Sequence, residues 1–148
     1  MRLDRMYTST VNALKISITF RHQYAMVAGK ALIDSGATEN FIDYRTAIRW
    51  RVKIKDLHRP RKVYNVDGTE NQGGIISKSC VLRVRRGERQ LAQRFYVTNL
   101  GQDRIILGYP WLREFNPEID WEEGTLIGEE VRLEEIGMAW EGYKEQQQ

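Results

Sequence analysis

Leu14, Ile16, Ile18 and Phe20 alternate with Lys15, Ser17, Thr19 and Arg21. A two-residue period puts the four apolar side chains on one face of a pleated strand and the polar ones on the other. Such a strand is half-buried and needs other elements to complete its core. His22-Gln23 begins a turn into a second strand around Tyr24–Val27, and Ala31-Leu32-Ile33 is a short apolar strand running directly into Asp34-Ser35-Gly36. Arg61–Val66 and Ile75–Val84 read as strands flanking a Gly-rich turn. Val81–Arg85 and Leu91–Val97 form a hairpin across Arg86-Gly87-Glu88. Ile105-Ile106-Leu107 is a further buried strand, and Pro110 suits the first turn of a short helix, Tyr109–Phe115. Another helical turn or two falls at Asp43–Arg49. Ile119–Trp121 and Thr125–Ile127 make a hairpin across Glu122-Glu123-Gly124. The expected fold class is all-β with one or two short helices.

Length bounds what this core can do. With 148 residues, 41% of them hydrophobic, the chain fits one domain and one core and leaves little room for a two-lobed enzyme. No apolar run approaches the roughly 18 to 20 residues of a membrane helix. No apolar core follows Met1-Arg2-Leu3-Asp4-Arg5, so no secretory signal is expected. The single cysteine, Cys80, excludes an internal disulfide framework and reads as a small residue beside a strand. Residues 114–148 hold 11 acidic and two basic residues, a net of −9, while residues 1–113 carry +12. A basic body can attract nucleic acid. Here the basic residues are spread out with no stacking aromatics between them, so a solvated surface is expected and no nucleic-acid partner. Arg83, Arg85, Arg86 and Arg89 read as a solvent edge that discourages strand pairing.

Most site chemistries are quickly set aside. His22 and His58 are far apart in sequence, and with one cysteine there is no zinc spacing, so no metal and no cofactor are expected. Neither histidine has an evident Ser or Cys partner for a triad. There is no GxxxxGK[ST] or GxGxxG phosphate cradle. What remains is Ala31-Leu32-Ile33-Asp34-Ser35-Gly36-Ala37-Thr38, an acidic residue directly after a buried strand. Alone, Asp-Ser-Gly is a turn capping a strand. Together with Ile105-Ile106-Leu107-Gly108 and Tyr109-Pro110-Trp111-Leu112 far downstream, it carries more weight.

These segments resemble the retropepsins, aspartic proteases of retroviruses and long-terminal-repeat retrotransposons, and most of all the Ty3/gypsy type, especially in fungal elements. The resemblance spans residues 11–128. Residues 31–38 with Asn40-Phe41-Ile42 match the active-site segment, and Val63-Tyr64-Asn65-Val66-Asp67-Gly68-Thr69 with Gly73-Gly74-Ile75 resembles the flap. Asp103-Arg104-Ile105-Ile106-Leu107-Gly108 matches the hydrophobic-hydrophobic-Gly segment, followed by Tyr109–Leu112 and Asn116–Trp121. Ser35 stands where many members have Thr, and the hydroxyl is retained. Tyr109 and Pro110 replace residues that are usually polar in retroviral members.

The resemblance implies a retropepsin-like acid protease fold, a closed β-barrel-like monomer that forms a C2 homodimer. It implies an aspartic endopeptidase acting on a Gag-Pol-type polyprotein, in the cytoplasm or a virus-like particle and without a membrane partner. Asp34 is then the catalytic carboxylate, Ser35 holds the two loops together across the dimer, and Gly36 lets them approach. Ala37 and Thr38 shape the cleft floor, while Asn65, Val66, Asp67, Gly68 and Thr69 form the flap tip over the substrate. Ile106 and Gly108 support the Asp34 loop. Water activation needs two carboxylates, and this chain has one Asp-Ser-Gly. Asp103 precedes its strand and Asp120 lacks a following Ser-Gly. The second carboxylate is therefore expected from a second copy. The expected organisation is an N-terminal extension at 1–10, a protease domain at 11–128 and an acidic C-terminal tail or linker at 129–148, with Thr125–Ile127 and Val131–Ile136 as candidate interface strands. The alternative is a catalytically silent relative that serves as a dimerisation or peptide-binding module.

Overall fold

The computed structural model describes residues 5–8, 14–22, 25–65, 70–100 and 105–136. In chain order they form β1 (Arg5–Thr8), β2 (Leu14–His22), β3 (Ala25–Ile33), β4 (Asn40–Asp43), α1 (Tyr44–Arg49), β5 (Lys55–Asn65) and β6 (Glu70–Arg86). There follow β7 (Arg89–Thr98), β8 (Ile105–Leu107), α2 (Tyr109–Phe115), β9 (Glu118–Asp120), β10 (Thr125–Ile127) and β11 (Val131–Glu135). The protein is mostly β, and seven strands close into a barrel in the order β6-β11-β2-β3-β8-β4-β7, with β7 returning to β6. Closure rests on the 17 residues of β6. Their first half pairs with β5, their second half with β11, and residues 78–86 pair with β7. β1 adds to the outer side of β5 in parallel, and β9 and β10 form a separate hairpin.

The alternation in β2 has the expected consequence: Ile16, Ile18 and Phe20 are buried, while Lys15, Ser17 and Arg21 are exposed. Strands β3, β4 and β8 behave differently. Ile33, Ile42, Ile105 and Leu107 enter the main core, whereas Leu32, Phe41 and Ile106 enter a second cluster with Ala37, Val63, Ile76 and Tyr96. Successive side chains on a strand point to opposite faces, so these three strands are apolar on both sides. That is why Ala31-Leu32-Ile33 and Ile105-Ile106-Leu107 are continuous apolar runs rather than alternating ones.

Several elements differ from expectation. The expected strands at Tyr24–Val27 and Ala31–Ile33 are one strand, β3, carried through Gly29. A Cβ at Gly29 would stand 3.4 Å from the Trp50 ring, which stacks on Phe20 at 4.4 Å. Within the expected acidic tail at 129–148, the described residues include a strand, β11, and residues 137–148 lie outside the described residues. β11 lies between β6 and β2, with Val131 and Leu133 fully buried. Three of the four arginines read as a solvent edge serve this strand and the turn before it, while Arg89 is exposed beside Glu114: Arg83 and Arg85 lie 3.8 and 3.6 Å from the buried Glu134 carboxylate. Arg86 donates to the carbonyls of Glu129 and Ile127. Cys80 is buried in β6, which pushes its thiol pKa up to about 12. Trp111 is fully buried and Trp121 is exposed, while Trp140 lies outside the described residues.

Candidate active site

β3 delivers Asp34 to the site as the parallel pairing Ile33–Leu107 ends. Its backbone N–H donates to Leu107 O at 3.1 Å, extending the ladder by one bond. The chain then turns. Ala37 N donates to Asp34 O at 3.1 Å, and Gly36 N donates to Asp34 Oδ1 at 2.9 Å. A short carboxylate accepting from the backbone two residues on is what makes Asp-Ser-Gly a stable turn. Asp34 is fully buried while Ser35 beside it is exposed, so the loop presents a hydroxyl outward over an enclosed carboxylate.

A second layer locks this loop from beneath. Tyr109 N donates to Ala37 O at 2.8 Å, and Gly108 N donates to the Asn40 side-chain oxygen at 2.9 Å. The Asn40 amide donates to Gln93 Oε1 at 3.1 Å, and the Gln93 amide donates to Pro110 O at 3.2 Å. Both side chains are buried, so each of these bonds also removes the cost of a buried unpaired polar group. Gly108 is required by space, not by its backbone angle: a Cβ there would lie 2.2 Å from Glu39 O and 2.7 Å from Ala37 O. At the far end of the segment, Asp43 accepts from Arg45 N at 3.1 Å, capping α1, and from Leu100 N at 3.0 Å.

The residues expected at the site divide into three groups. Asp34, Ser35, Gly36 and Ala37 form one turn against Ile106, Leu107 and Gly108. Ala37, expected in the cleft floor, has its side chain fully inside the second cluster, and Thr38 is half-buried. Asn65 ends β5, and Val66, Asp67, Gly68 and Thr69 lie outside the described residues. Gln93 and Glu39 were not expected at the site, and Asn40 was expected only as part of the matched motif, with no role of its own. The Asn40–Gln93 bond joins positions 53 apart in sequence, and nothing local announces it. Glu39 was legible only as an acid close behind Asp34. Burial raises its pKa above the ordinary carboxylate range, and the positive charges of Arg61, Arg94 and Arg113 pull it back only in part. Among the described residues, no group of three or more His, Cys, Asp or Glu side chains is placed to hold a metal. The family model of the PEG10/RTL1 protease domain matches residues 30–134, from the last residues of β3 through most of β11.

Proposed function

The chain belongs to the PEG10/RTL1 protease domain family, a retropepsin-like aspartic protease family derived from Ty3/gypsy retrotransposons, and from that premise we propose that Asp34 is its catalytic carboxylate. The proposed activity is hydrolysis of peptide bonds in a Gag-Pol-type polyprotein by a C2 homodimer. One observation carries the reading: a fully buried carboxylate in the Asp-Ser-Gly turn, held by Gly36 N–H and tied through its own N–H to β8.

The chemistry follows from having two such turns face to face. Two carboxylates a few ångströms apart do not both ionise, so the pair shares one proton. The ionised partner takes a proton from water as the oxygen attacks the scissile carbonyl carbon, and the protonated partner donates to the carbonyl oxygen. Collapse of the tetrahedral intermediate returns a proton to the leaving amine. Titration then belongs to the pair and not to either residue. In this scheme Ser35, exposed at the turn, bonds across the twofold axis, and the 65–69 segment closes over an extended substrate and excludes water.

The test is a peptidase assay on polyprotein-junction peptides at mildly acidic pH, with Asp34→Asn alongside. Loss of acid–base chemistry should lower the rate by about 10²- to 10⁴-fold. Specific activity should also fall on dilution of the wild type, because the site is shared. Activity that survives Asp34→Asn, or that is independent of concentration down to the nanomolar range, would sink the mechanism.

A further inference from the structure

β1 is held by one neighbour. It ends the strand order, with β5 on one side and, among the described residues, no strand on the other. The pairing is parallel and joins Arg5 to Lys62, Met6 to Val63, Tyr7 to Tyr64 and Thr8 to Asn65. Lys62–Asn65 are the last residues of β5. The β5–β6 ladder shifts register between Lys62 and Tyr64, so this end of β5 is irregular on its other side as well. Ordering a short segment costs about 1–2 kcal/mol of backbone entropy per residue. A strand paired along one edge has few bonds to set against that cost, so β1 detaches more readily than strands paired along both.

Two connections tie β1 to the Asp34 turn. On β5, Val63 is buried in the same cluster as Ala37 of the turn and Leu32 and Ile106 of the strands behind it. Along the chain, Thr8 ends β1 and Leu14 begins β2, and Leu14 pairs with Ile33, the residue before Asp34. Six chain steps reach at most about 21 Å, the length of about six residues of extended peptide. A sheet edge that accepts a strand takes an extended peptide through the same backbone groups, so β1 and a peptide on Lys62–Asn65 exclude each other. We propose that β1 is a built-in competitor: it occupies the edge of β5 on which an extended peptide substrate adds, and the site takes substrate when β1 has detached. The inference rests on the peptidase reading above. A tethered segment acts at an effective concentration in the millimolar range, so weak intrinsic affinity is enough to compete with micromolar substrate. The apparent affinity for substrate then falls in proportion to the fraction of chains whose edge is open.

The experiment compares the full chain with its Met6→Pro/Tyr7→Pro variant. In a parallel ladder the N–H groups of successive residues point to alternate sides, so one of the two faces β5, and proline removes it. The variant should cleave a polyprotein-junction peptide with KM lower by about three- to tenfold and kcat within about twofold of wild type. A synthetic peptide of residues 1–12 should inhibit the variant competitively, and more strongly than it inhibits wild type. Arg5→Cys/Lys62→Cys tests the opposite direction. Paired strands lie about 4.8 Å apart, within disulfide reach, and Cys80 is buried away from both positions. Oxidation of the pair should weaken peptide binding, and reduction should restore it. Binding measured by fluorescence anisotropy in the Asp34→Asn background separates the two readings. Tighter binding by the proline variant with no cleavage by wild type retains the competitor and rejects the peptidase. Cleavage by wild type with an unchanged KM in the proline variant, and equal binding by the oxidised and reduced cysteine pair, overturns the proposal and leaves the peptidase standing. A chain cut between residues 1 and 13 during the assay, seen by mass spectrometry, makes the segment a substrate and also overturns the proposal.

Discussion

At the residue scale, two side-chain positions near Asp34 carry consequences that do not depend on catalysis. Gly108 lies so close to the backbone of residues 37–39 that Gly108→Ala puts a methyl carbon 2.2 Å from Glu39 O. That contact is with backbone, which cannot rotate away, so the loop or α2 must shift. The expected cost is about 3 kcal/mol, the upper part of the overpacking range, read as a lower urea midpoint with an unchanged slope. Glu39 acts in the opposite direction. Its folded pKa is raised mainly by burial, so at neutral pH the fold carries an unfavourable charge. A raised folded pKa favours the folded state at low pH, and the benefit is lost as pH rises through that value. Glu39→Gln should therefore raise Tm at pH 7. The gain should shrink as pH falls through the raised pKa and vanish below the ordinary 4.5. A gain that instead grew on acidification would contradict the burial argument.

At the element scale, the site is an assembly of β3, β4, β7, β8 and the start of α2, joined by few bonds. Asn40 on β4 is the hub, accepting from Gly108 and donating to Gln93 of β7, which in turn reaches Pro110. Removing it leaves a buried N–H and a buried amide oxygen without their partner, at about 1–3 kcal/mol each. Asn40→Ala should destabilise by about 2–4 kcal/mol in urea unfolding. Activity should fall even at temperatures where the variant is folded, because Gly108 then no longer fixes the Asp34 turn from below. Full activity in a folded Asn40→Ala chain would show that the hub is structural only. The elements themselves were largely legible: α2 starts and ends where Pro110 and Asn116 place it, and the 86–89 turn joins β6 to β7. β4 was legible only as part of a motif, because its four residues, Asn40-Phe41-Ile42-Asp43, are all buried and show no alternation.

At the scale of the whole molecule, β11 closes the barrel, and its acidic sequence hides this. Glu134 is buried because Arg83 and Arg85 flank it from β6, while Val131 and Leu133 fill the core at full burial. A chain ending at residue 130 loses two apolar side chains at about 1.5–3 kcal/mol each and opens the paired edges of β2 and β6. Against a typical stability of about 5–15 kcal/mol, it should show no cooperative thermal transition where the full chain shows one. A cooperative transition in the truncated chain would mean the barrel closes without β11. Local patterns in the sequence determined the strand-rich class, both helices and the Asp-Ser-Gly turn behind a buried strand, because each depends on neighbours within a few residues. Only the tertiary structure decided that an acidic segment is a core strand and that Asn40 meets Gln93. It also decided that the second half of β6 holds β7 on one edge and β11 on the other. Those outcomes depend on charges and hydrogen bonds between segments tens of residues apart, and their free energy exists only once the barrel has closed.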